Sequence, residues 1–406
     1  MLLHLRLTTR LERIVRNSAI SRLVSSSNSA HSAKHAIDCP LIIPSESTTL
    51  PMTWEMGLDG HPRYTLEELR AQCVGAADPF LLVEDDIKSL SGGIKELLLS
   101  DHPVLEACAK YFFDTAGGGK QIRPTMVLLI SKALNGDSGG ISPSQKRLAE
   151  ITEMIHTASL FHDDVIDKAT SRRNVASVNQ VFGNKVAILG GDFLLSRASV
   201  ALARLRNHEV VELLSTVIEH LVKGEIMQMK PTSSSDGSNK AKNTAALEFY
   251  LKKNFYKTAS LMGNSCLAAA VLGAHSEAHQ RACYLYGTYL GQAFQLVDDA
   301  LDFEGSAEAL GKAPLADLRS GLATAPTLFA VDEFPHLASL IERRFESPGD
   351  MDQALGLVLS SRGLVRCRQL AQVHAEKAIE AIQILAPSNA KDALTHLACK
   401  VVTRKH

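Results

Sequence analysis

The sequence is poor in aromatic residues and has no dense pattern of cysteines. Phe, Trp and Tyr make up 5% of the 406 residues, whereas hydrophobic residues as a whole make up 45%. An aliphatic composition rich in Ala and Leu favours a large helical core over a β-sandwich. Seven cysteines are scattered without a CxxC pair, which argues against a disulfide framework and indicates a reducing compartment.

Excess charge and long apolar runs are also missing. The formal net charge is −1, which gives no general attraction to nucleic acid or to an acidic surface. No uninterrupted apolar stretch reaches membrane-spanning length, so an integral membrane protein is not predicted. The sequence also has no convincing strand pattern, no GxGxxG loop and no Walker loop. An all-α chain is therefore the predicted fold class.

The first 38 residues have a composition of their own. Residues 1–34 contain five arginines, one acid and regularly spaced leucines, and a Ser-rich tract occupies residues 25–32. This composition, without a continuous apolar segment, is typical of a mitochondrial presequence; a basic tail without fixed structure is the alternative. Residues 39–79 contain several prolines and are predicted to be a linker, with a short helix at 65–73.

Apolar residues at helical spacing predict a series of helices from residue 80 to the C-terminus, residue 406. The predicted helices cover residues 81–99, 104–113, 125–134, 145–167, 186–205, 210–229, 247–272, 277–302, 324–331 and 351–385. The polar, low-complexity segment 230–243 is predicted to be a flexible surface insertion without a chemical role.

Two acidic clusters follow apolar segments of these helices. They are Asp163, Asp164 and Asp167 and, 135 positions later, Asp298, Asp299 and Asp302. The first and last aspartates of each cluster are four residues apart and project from the same helix face, where like charges destabilise the helix. Mg²⁺ is held by a few carboxylates together with phosphate oxygens and water. One cluster could be a solvated helix end, but two copies predict a site for Mg²⁺ ions bridged by a diphosphate.

Cationic side chains surround the first cluster in the sequence. Three glycines at 117–119 precede Lys120 and Arg123 at the entrance to a helix, an arrangement that suits an anion but also an ordinary flexible loop. His156 lies two turns before the cluster and is either a core residue or a ligand. Arg172 and Arg173 follow the cluster and either pair with its carboxylates or bind phosphate.

These motifs resemble those of the trans-prenyltransferases in the polyprenyl diphosphate synthase family, most of all the mitochondrial long-chain enzymes that make the ubiquinone side chain. The matching segments are 117–124, 153–173, 190–198, 256–266, 291–303 and 311–330. The resemblance implies the isoprenoid synthase fold, in which helices surround a central active-site cavity. It also implies Mg²⁺-dependent, repeated condensation of isopentenyl diphosphate onto an allylic diphosphate, either farnesyl or geranylgeranyl diphosphate.

The resemblance assigns roles position by position. All six aspartates would be catalytic, and Asp163, Asp167 and Asp298 would be the principal Mg²⁺ ligands. Isopentenyl diphosphate would be bound by Lys120, Arg123, His156 and Arg173. The allylic diphosphate would be bound by Arg172, Lys257, Thr258, Gln295 and Lys312.

The resemblance implies that product length depends on the residues that precede the first cluster on the same predicted helix. Ala158 stands five residues before Asp163, where short-chain relatives carry a bulky aromatic residue. A small residue would leave a tunnel open for a long product, and Met154 and Ile151 on the same face could set its limit. The alternative is that Ala158 merely packs against a neighbouring helix.

The implied partners are the two diphosphate substrates and a second subunit, identical or related, with no nucleic acid. The mitochondrial matrix is the implied location, and a peripheral contact with the inner membrane is compatible with it. The alternatives are one subunit of a heteromeric synthase, a terpene cyclase that shares the fold, or a shorter-chain geranylgeranyl diphosphate synthase. Two intact aspartate clusters and a complete isopentenyl diphosphate set favour the catalytic chain of a long-chain enzyme.

Overall fold

The computed structural model of the protein describes residues 60–115, 121–136, 140–172, 175–229, 239–304 and 315–404. The predicted presequence lies outside these residues. Helices dominate the described chain, and its β-structure is limited to a hairpin of two-residue strands, β1 (Ser171–Arg172) and β2 (Val175–Ala176), which pair antiparallel. The prediction of an all-α fold is confirmed.

The helices follow one another with short connections. They are α1 (Leu66–Gln72), α2 (Glu84–Leu97), α3 (Pro103–Thr115), α4 (Ile122–Asn135), α5 (Pro143–Ile166), α6 (Val178–Phe182), α7 (Asn184–Arg204), α8 (His208–Met229), α9 (Asn239–Asn254), α10 (Ser260–Leu272), α11 (Glu277–Glu304), α12 (Ala316–Arg319), α13 (Ala325–Ala330), α14 (Leu337–Glu342), α15 (Asp350–Ser360), α16 (Gly363–Ala381) and α17 (Asn389–Thr403). Short 3₁₀ turns occupy Leu81–Val83 and Ile382–Ile384, and a π turn occupies Phe255–Ala259.

Helix α10 is the centre of this arrangement. Its residues from Ser260 to Val271 are all buried, because small and aliphatic side chains on every side leave it without a polar face. It packs against α4, α5, α8 and α11. Gly287 permits the close approach of α11, since a Cβ there would lie 2.5 Å from the carbonyl oxygen of Met262. The helices that carry the two aspartate clusters, α5 and α11, therefore flank the same buried helix.

Among the differences from the predicted helices, three concern the longer elements. The π turn at Phe255–Ala259 interrupts the predicted helix 247–272. The predicted helix 351–385 is wrong as a single element, because α15 ends before Ser361. The backbone of Ser361 is extended, and its hydroxyl accepts from the N–H of Gly363 at 2.9 Å, which stops the helix. Helix α17 has no counterpart among the predicted helices.

Two segments predicted to lie outside the helical domain contain helices that pack on it. The predicted short helix at 65–73 is confirmed as α1, and its Leu69 is buried beside α17. Helix α9 begins at Asn239, inside the predicted insertion 230–243. The buried side chain of Asn243 donates to Asp332 Oδ1 at 2.6 Å, so the end of that segment belongs to the folded domain. Residues 230–238 lie outside the described chain.

Candidate active site

The first aspartate cluster lies at the C-terminal end of α5, where the charge of two of its carboxylates is incompletely compensated. Burial raises the pKa of Asp163 to about 6; Lys257 opposes this shift, and Glu225 and Asp167 add to it. The pKa of Asp167, the C-terminal cap of α5, is raised by burial as well. A carboxyl group whose pKa is raised is one that a nearby cation would stabilise in its ionised form.

Asp164 differs from its two neighbours because it is paired within the protein. Its buried carboxylate accepts from Nε of Arg172 at 3.0 Å, and the backbone carbonyl accepts from Nδ2 of Asn179 at 3.2 Å. These contacts hold the β1–β2 hairpin against the end of α5. Arg172, predicted to bind the allylic diphosphate, is therefore committed to Asp164 in this structure, which was the alternative that the sequence left open.

Lys257 and Thr258 lie in the π turn at the start of α10. The Lys257 ammonium donates to Glu225 Oε2 at 2.5 Å and to Gln228 Oε1 at 3.0 Å, both on α8. Gly224 makes this approach possible, because a Cβ there would lie 2.6 Å from Cγ of Lys257. Helical turns of this kind are frequent at functional sites. Here the turn directs Lys257 towards the first aspartate cluster.

The neighbouring Thr258 connects the same turn to the second cluster. Its hydroxyl donates to Gln295 Oε1 at 3.0 Å, and Nε2 of Gln295 donates to Asp299 Oδ1 at 2.9 Å. Gln295 and Asp299 are one turn apart on α11, so they share a face. The π turn therefore bonds to the second cluster through Thr258 and Gln295, and the charge of Lys257 acts on the carboxylates of the first.

The three carboxylates of the second cluster have three different partners. Asp298 is half-buried and accepts from the guanidinium of Arg404. Asp299 is buried and accepts from the hydroxyl of Tyr250 as well as from Gln295. Burial and the nearby Asp317 raise the pKa of Asp299 to about 7.

Asp302, the last of the second cluster, has a structural environment. Its buried carboxylate accepts from the backbone N–H groups of Ala316 at 3.3 Å and Asp317 at 3.2 Å. Those N–H groups open the short helix α12, whose first turn needs acceptors from outside the helix. Asp298 is thus the member of the second cluster with the most accessible carboxylate.

The donor set suits a hard cation that arrives with a phosphate ligand. No three His, Cys, Asp or Glu side chains of the described residues form a ready-made metal centre. Mg²⁺ usually takes only one or two protein carboxylates and completes its shell with phosphate oxygens and water. Asp163 and Asp167 supply oxygen ligands in a place with excess negative charge, so the residues present fit Mg²⁺.

The predicted isopentenyl diphosphate residues are partly visible. Nη1 of Arg123, in the first turn of α4, lies 3.1 Å from Nε2 of His156 on α5, so these two predicted side chains meet. His156 is seven residues before Asp163 on α5, about two turns, so helical spacing puts the two on the same side of the helix. Lys120, Arg173 and Lys312 lie outside the described residues.

The predicted chain-length residues lie deep in the core. Ile151, Met154 and Ala158 are completely buried on α5, which packs against α4, α7 and α10. Phe161, between them and the first cluster, is also buried and meets the ring of Phe112 edge-on at 5.9 Å. These side chains therefore form an apolar buried face along the part of α5 that precedes Asp163.

Four residues of this region were not predicted from the sequence. Glu225 and Gln228 lie on one face of α8, a helix that reads as mostly apolar, and their i, i+3 spacing was an available signal. Tyr250 and Arg404 carry no motif, and they reach aspartates 49 and 106 positions away. Only the packing of α9 and α17 against α11 brings them to the site.

Comparison with known proteins gives the family of the chain. The family model described as polyprenyl synthetase matches residues 102–358. A probable mitochondrial hexaprenyl pyrophosphate synthase of Neurospora crassa is 49% identical, over 80% of this chain and 82% of its own length. The decaprenyl-diphosphate synthase subunit 1 of Schizosaccharomyces pombe is 44% identical, over 80% of this chain and 90% of its own length.

A solved structure gives the same result for the fold. A polyprenyl synthase of Caulobacter crescentus, crystallised with calcium and isoprenyl diphosphate, has a TM-score of 0.71 and 30% identity, covering 85% of this chain and 100% of its own. An Arabidopsis medium/long-chain prenyl pyrophosphate synthase has a TM-score of 0.65 and 40% identity, covering 81% and 100%. The chain therefore belongs to the polyprenyl synthetase family and is a polyprenyl diphosphate synthase, an enzyme that transfers prenyl groups.

Proposed function

We propose that the chain is the catalytic chain of a long-chain all-trans-polyprenyl diphosphate synthase whose product is the precursor of the ubiquinone side chain. It would condense isopentenyl diphosphate repeatedly onto an allylic diphosphate, farnesyl or geranylgeranyl diphosphate. The observation that carries the proposal is the π turn, because Lys257 faces the first aspartate cluster while Thr258 is bonded to the second through Gln295.

Binding of the allylic diphosphate is assigned to the residues around this turn. The Lys257 ammonium is a point charge already held in place by Glu225 and Gln228, so little freedom is lost when a phosphate oxygen displaces one of them. The second amide N–H of Gln295 would add a neutral donor, and Thr258, whose hydroxyl proton goes to Gln295, is assigned to the same substrate as the residue that orients this amide. Lys312 and Arg172 are assigned to the same substrate.

The second substrate is assigned to the start of α4 and the middle of α5. Arg123 and His156 would hold the diphosphate of isopentenyl diphosphate, and Lys120 and Arg173 are assigned to the same group. Arginine suits this task because its planar guanidinium makes paired hydrogen bonds to phosphate oxygens.

Ionisation of the allylic substrate requires charge compensation and the exclusion of water. Magnesium bound by Asp163, Asp167 and Asp298 would supply positive charge to the departing diphosphate. The apolar face formed by Phe161, Ala158 and Met154, which are buried, would exclude water from a carbocation next to it. The double bond of isopentenyl diphosphate would attack this cation, and the released diphosphate would take the proton that is lost.

The Mg²⁺ requirement is supported by the oxygen donors and the incompletely compensated charge of the first cluster. The Caulobacter crescentus relative was crystallised with calcium, another cation that prefers oxygen ligands. Product length is proposed to depend on Ala158, with Met154 and Ile151 as the next residues along the same buried face of α5.

A second subunit is proposed to cover one face of α7. Ile188, Leu189 and Val200 are exposed on this helix, while its other side packs against α3 and α5. By length and composition the helix could cross a membrane, and 39% of its most apolar 18 residues are buried in the fold. Packing of α7 into the fold favours a dimer contact over a membrane span. The Schizosaccharomyces pombe relative is named as a subunit, which keeps a heteromer as the second candidate.

The proposed location is the mitochondrial matrix, with any contact with the inner membrane peripheral. It is supported by the Arg-rich, acid-poor residues 1–34 and by the mitochondrial relative from Neurospora crassa. The test is a fusion of residues 1–38 to a fluorescent protein. Import of the fusion into mitochondria supports the presequence, and a fusion that stays outside contradicts it.

The activity is tested with the purified chain alone. It is incubated with labelled isopentenyl diphosphate, farnesyl diphosphate and Mg²⁺, and the product is sized by chromatography. We expect a long all-trans-polyprenyl diphosphate. Geranylgeranyl diphosphate as the final product would overturn the long-chain assignment, and product formation only after addition of a related subunit would establish the heteromer instead.

A further inference from the structure

Tyr250 on α9 is buried beside the second aspartate cluster, and no role follows for it from the sequence motifs. It is 2% exposed, and its hydroxyl donates to Oδ2 of Asp299, which is itself 3% exposed. The other oxygen of that carboxylate, Oδ1, accepts from Gln295 at 2.9 Å. Both oxygens of Asp299 are therefore held by neutral donors from two different helices.

The chain of hydrogen bonds continues to the proposed substrate site. Gln295 uses its amide nitrogen on Asp299, which leaves its oxygen to accept from Thr258 at 3.0 Å. The orientation of the Gln295 amide is thus fixed from both ends. A buried network in which each donor meets an acceptor has a single arrangement, and removal of one member leaves another polar group unsatisfied.

Tyr250 is also tied to the π turn through the backbone. Helix α9 runs from Tyr250 directly into Phe255–Ala259, the turn that carries Lys257 and Thr258. Gln292 on α11 donates to the carbonyl oxygen of Leu251 at 3.0 Å, which fixes the backbone next to Tyr250 against the same helix. The position of the π turn relative to α11 therefore depends on the contacts at this end of α9.

We propose that Tyr250 is a positioning residue for the allylic substrate: by holding Asp299 it orients Gln295 and Thr258 and sets the π turn that presents Lys257. Asp299 then acts as the acceptor at the centre of this network, while the neighbouring Asp298 stays accessible. The proposal deepens the proposed function and rests on it. The proposal predicts an effect on the allylic substrate and none on isopentenyl diphosphate. Arg123 and His156 lie on α4 and α5, whereas the network joins α9, the π turn and α11.

The test uses Tyr250→Phe, which removes only the hydroxyl. At metal sites, loss of a hydrogen-bond partner behind a ligand lowers metal affinity or activity about 10- to 100-fold, and we expect an effect at the lower end of this range here. We expect the KM for farnesyl diphosphate to rise about 10-fold, with the KM for isopentenyl diphosphate unchanged. Calorimetric titration with farnesyl diphosphate and Mg²⁺, without the second substrate, should show the same loss of affinity.

Tyr286→Phe is the matched control. Tyr286 on α11 is also fully buried and donates its hydroxyl to the carbonyl oxygen of Leu394 at 2.8 Å, away from the clusters. The Tyr286→Phe substitution removes a comparable buried hydrogen bond, so it should lower the melting temperature without changing the KM for farnesyl diphosphate or for isopentenyl diphosphate. Equal KM changes in the two variants would mean that Tyr250 has a merely structural role and would overturn the proposal.

Thr258→Val breaks the same network at its other end and provides a second route if Tyr250→Phe does not fold. It should raise the KM for farnesyl diphosphate, and the double variant should be no worse than the weaker-binding single variant. Additive effects would overturn the coupling between the two residues. Wild-type protein that neither binds nor extends farnesyl diphosphate would instead contradict the proposed function, and that outcome is seen before any variant is compared.

Discussion

The guanidinium of Arg404 donates to the carboxylate of Asp298, the most accessible aspartate of the second cluster. Nη2 of the same residue donates to the carbonyl oxygen of Phe294 at 2.9 Å, and the guanidinium carbon lies 4.1 Å from the centroid of the Phe294 ring. Arg404 therefore pairs with the carboxylate that is proposed to bind Mg²⁺. The end of the chain and the proposed metal site share one carboxylate.

Arg404→Gln is expected to ease metal binding, because it removes a positive charge that competes for Asp298. A partly exposed ion pair contributes up to about 1 kcal/mol, so the Mg²⁺ concentration for half-maximal activity should fall ~2- to 5-fold. The measurement is the initial rate of labelled isopentenyl diphosphate incorporation as a function of Mg²⁺ concentration.

Arg366→Gln is a closely matched control for this variant. Arg366 pairs with Asp332 Oδ2 at 2.5 Å and lies over the ring of Phe329 at 4.5 Å, so the arrangement is repeated away from the clusters. This control should leave the Mg²⁺ requirement as it is in the wild type. A requirement that is unchanged or higher in Arg404→Gln would contradict competition between the two cations.

Asp163→Ala should mainly lower activity and Asp164→Ala should mainly lower stability, although the residues are adjacent. Asp163 carries a partly buried charge that the protein compensates incompletely, so its removal should abolish condensation, with a loss of at least about 10³-fold, and leave the fold intact. Asp164 is paired with Arg172, and breaking a buried pair costs about 3 kcal/mol of unfolding free energy. Turnover and urea denaturation measured on both variants test this; normal turnover by Asp163→Ala would refute the metal assignment.

Ala158→Phe and Met154→Ala should change the product in opposite directions. The larger side chain at 158 should shorten the polyprenyl product, at an overpacking cost of about 1–3 kcal/mol. The smaller side chain at 154 should allow a longer product, at a cost of about 2–5 kcal/mol. Products are sized by chromatography on variants that retain a cooperative thermal transition. An unchanged size distribution in both would refute the tunnel along α5.

His374 should make the protein less stable below neutral pH. It is completely buried on α16 with its ring 5.8 Å from that of Tyr289, and burial lowers its pKa to about 3. The unfolded chain binds the proton below about pH 6.5 and the folded chain does not, so stability is lost as the pH falls towards 3, by about 1.4 kcal/mol per pH unit.

His374→Leu removes this contribution. Between pH 7.5 and pH 5.5 the wild type should lose about 1.4 kcal/mol more unfolding free energy than the variant, measured by urea denaturation at both pH values. Replacement of the exposed His208 by Gln serves as the control and should retain the wild-type dependence. Identical pH dependence of the wild type and His374→Leu would show that His374 does not bind a proton on unfolding.

Local sequence patterns were sufficient for most of the helices and for the positions of the aspartates on them. Helical spacing of apolar residues predicts α5 because the face that it buries is set by residues three and four apart. The same spacing puts Asp163 and Asp167 on one face of that helix. The break at Ser361 was missed because it depends on one hydroxyl bond and on packing against α13, where a Cβ at Gly363 would lie 2.3 Å from the carbonyl oxygen of Pro326.

The order of the residues by itself determines the helical fold class and the likeness to the polyprenyl synthases. It also determines the two clusters in which aspartates stand four residues apart. The accessibility of each carboxylate depends on tertiary packing. Asp164 faces Arg172, Asp299 faces Tyr250 and Asp298 faces Arg404, although the three motif positions look alike in the sequence. The difference arises because helix spacing is a property of neighbouring residues, whereas the partner of a buried carboxylate is set by whichever distant helix packs against it.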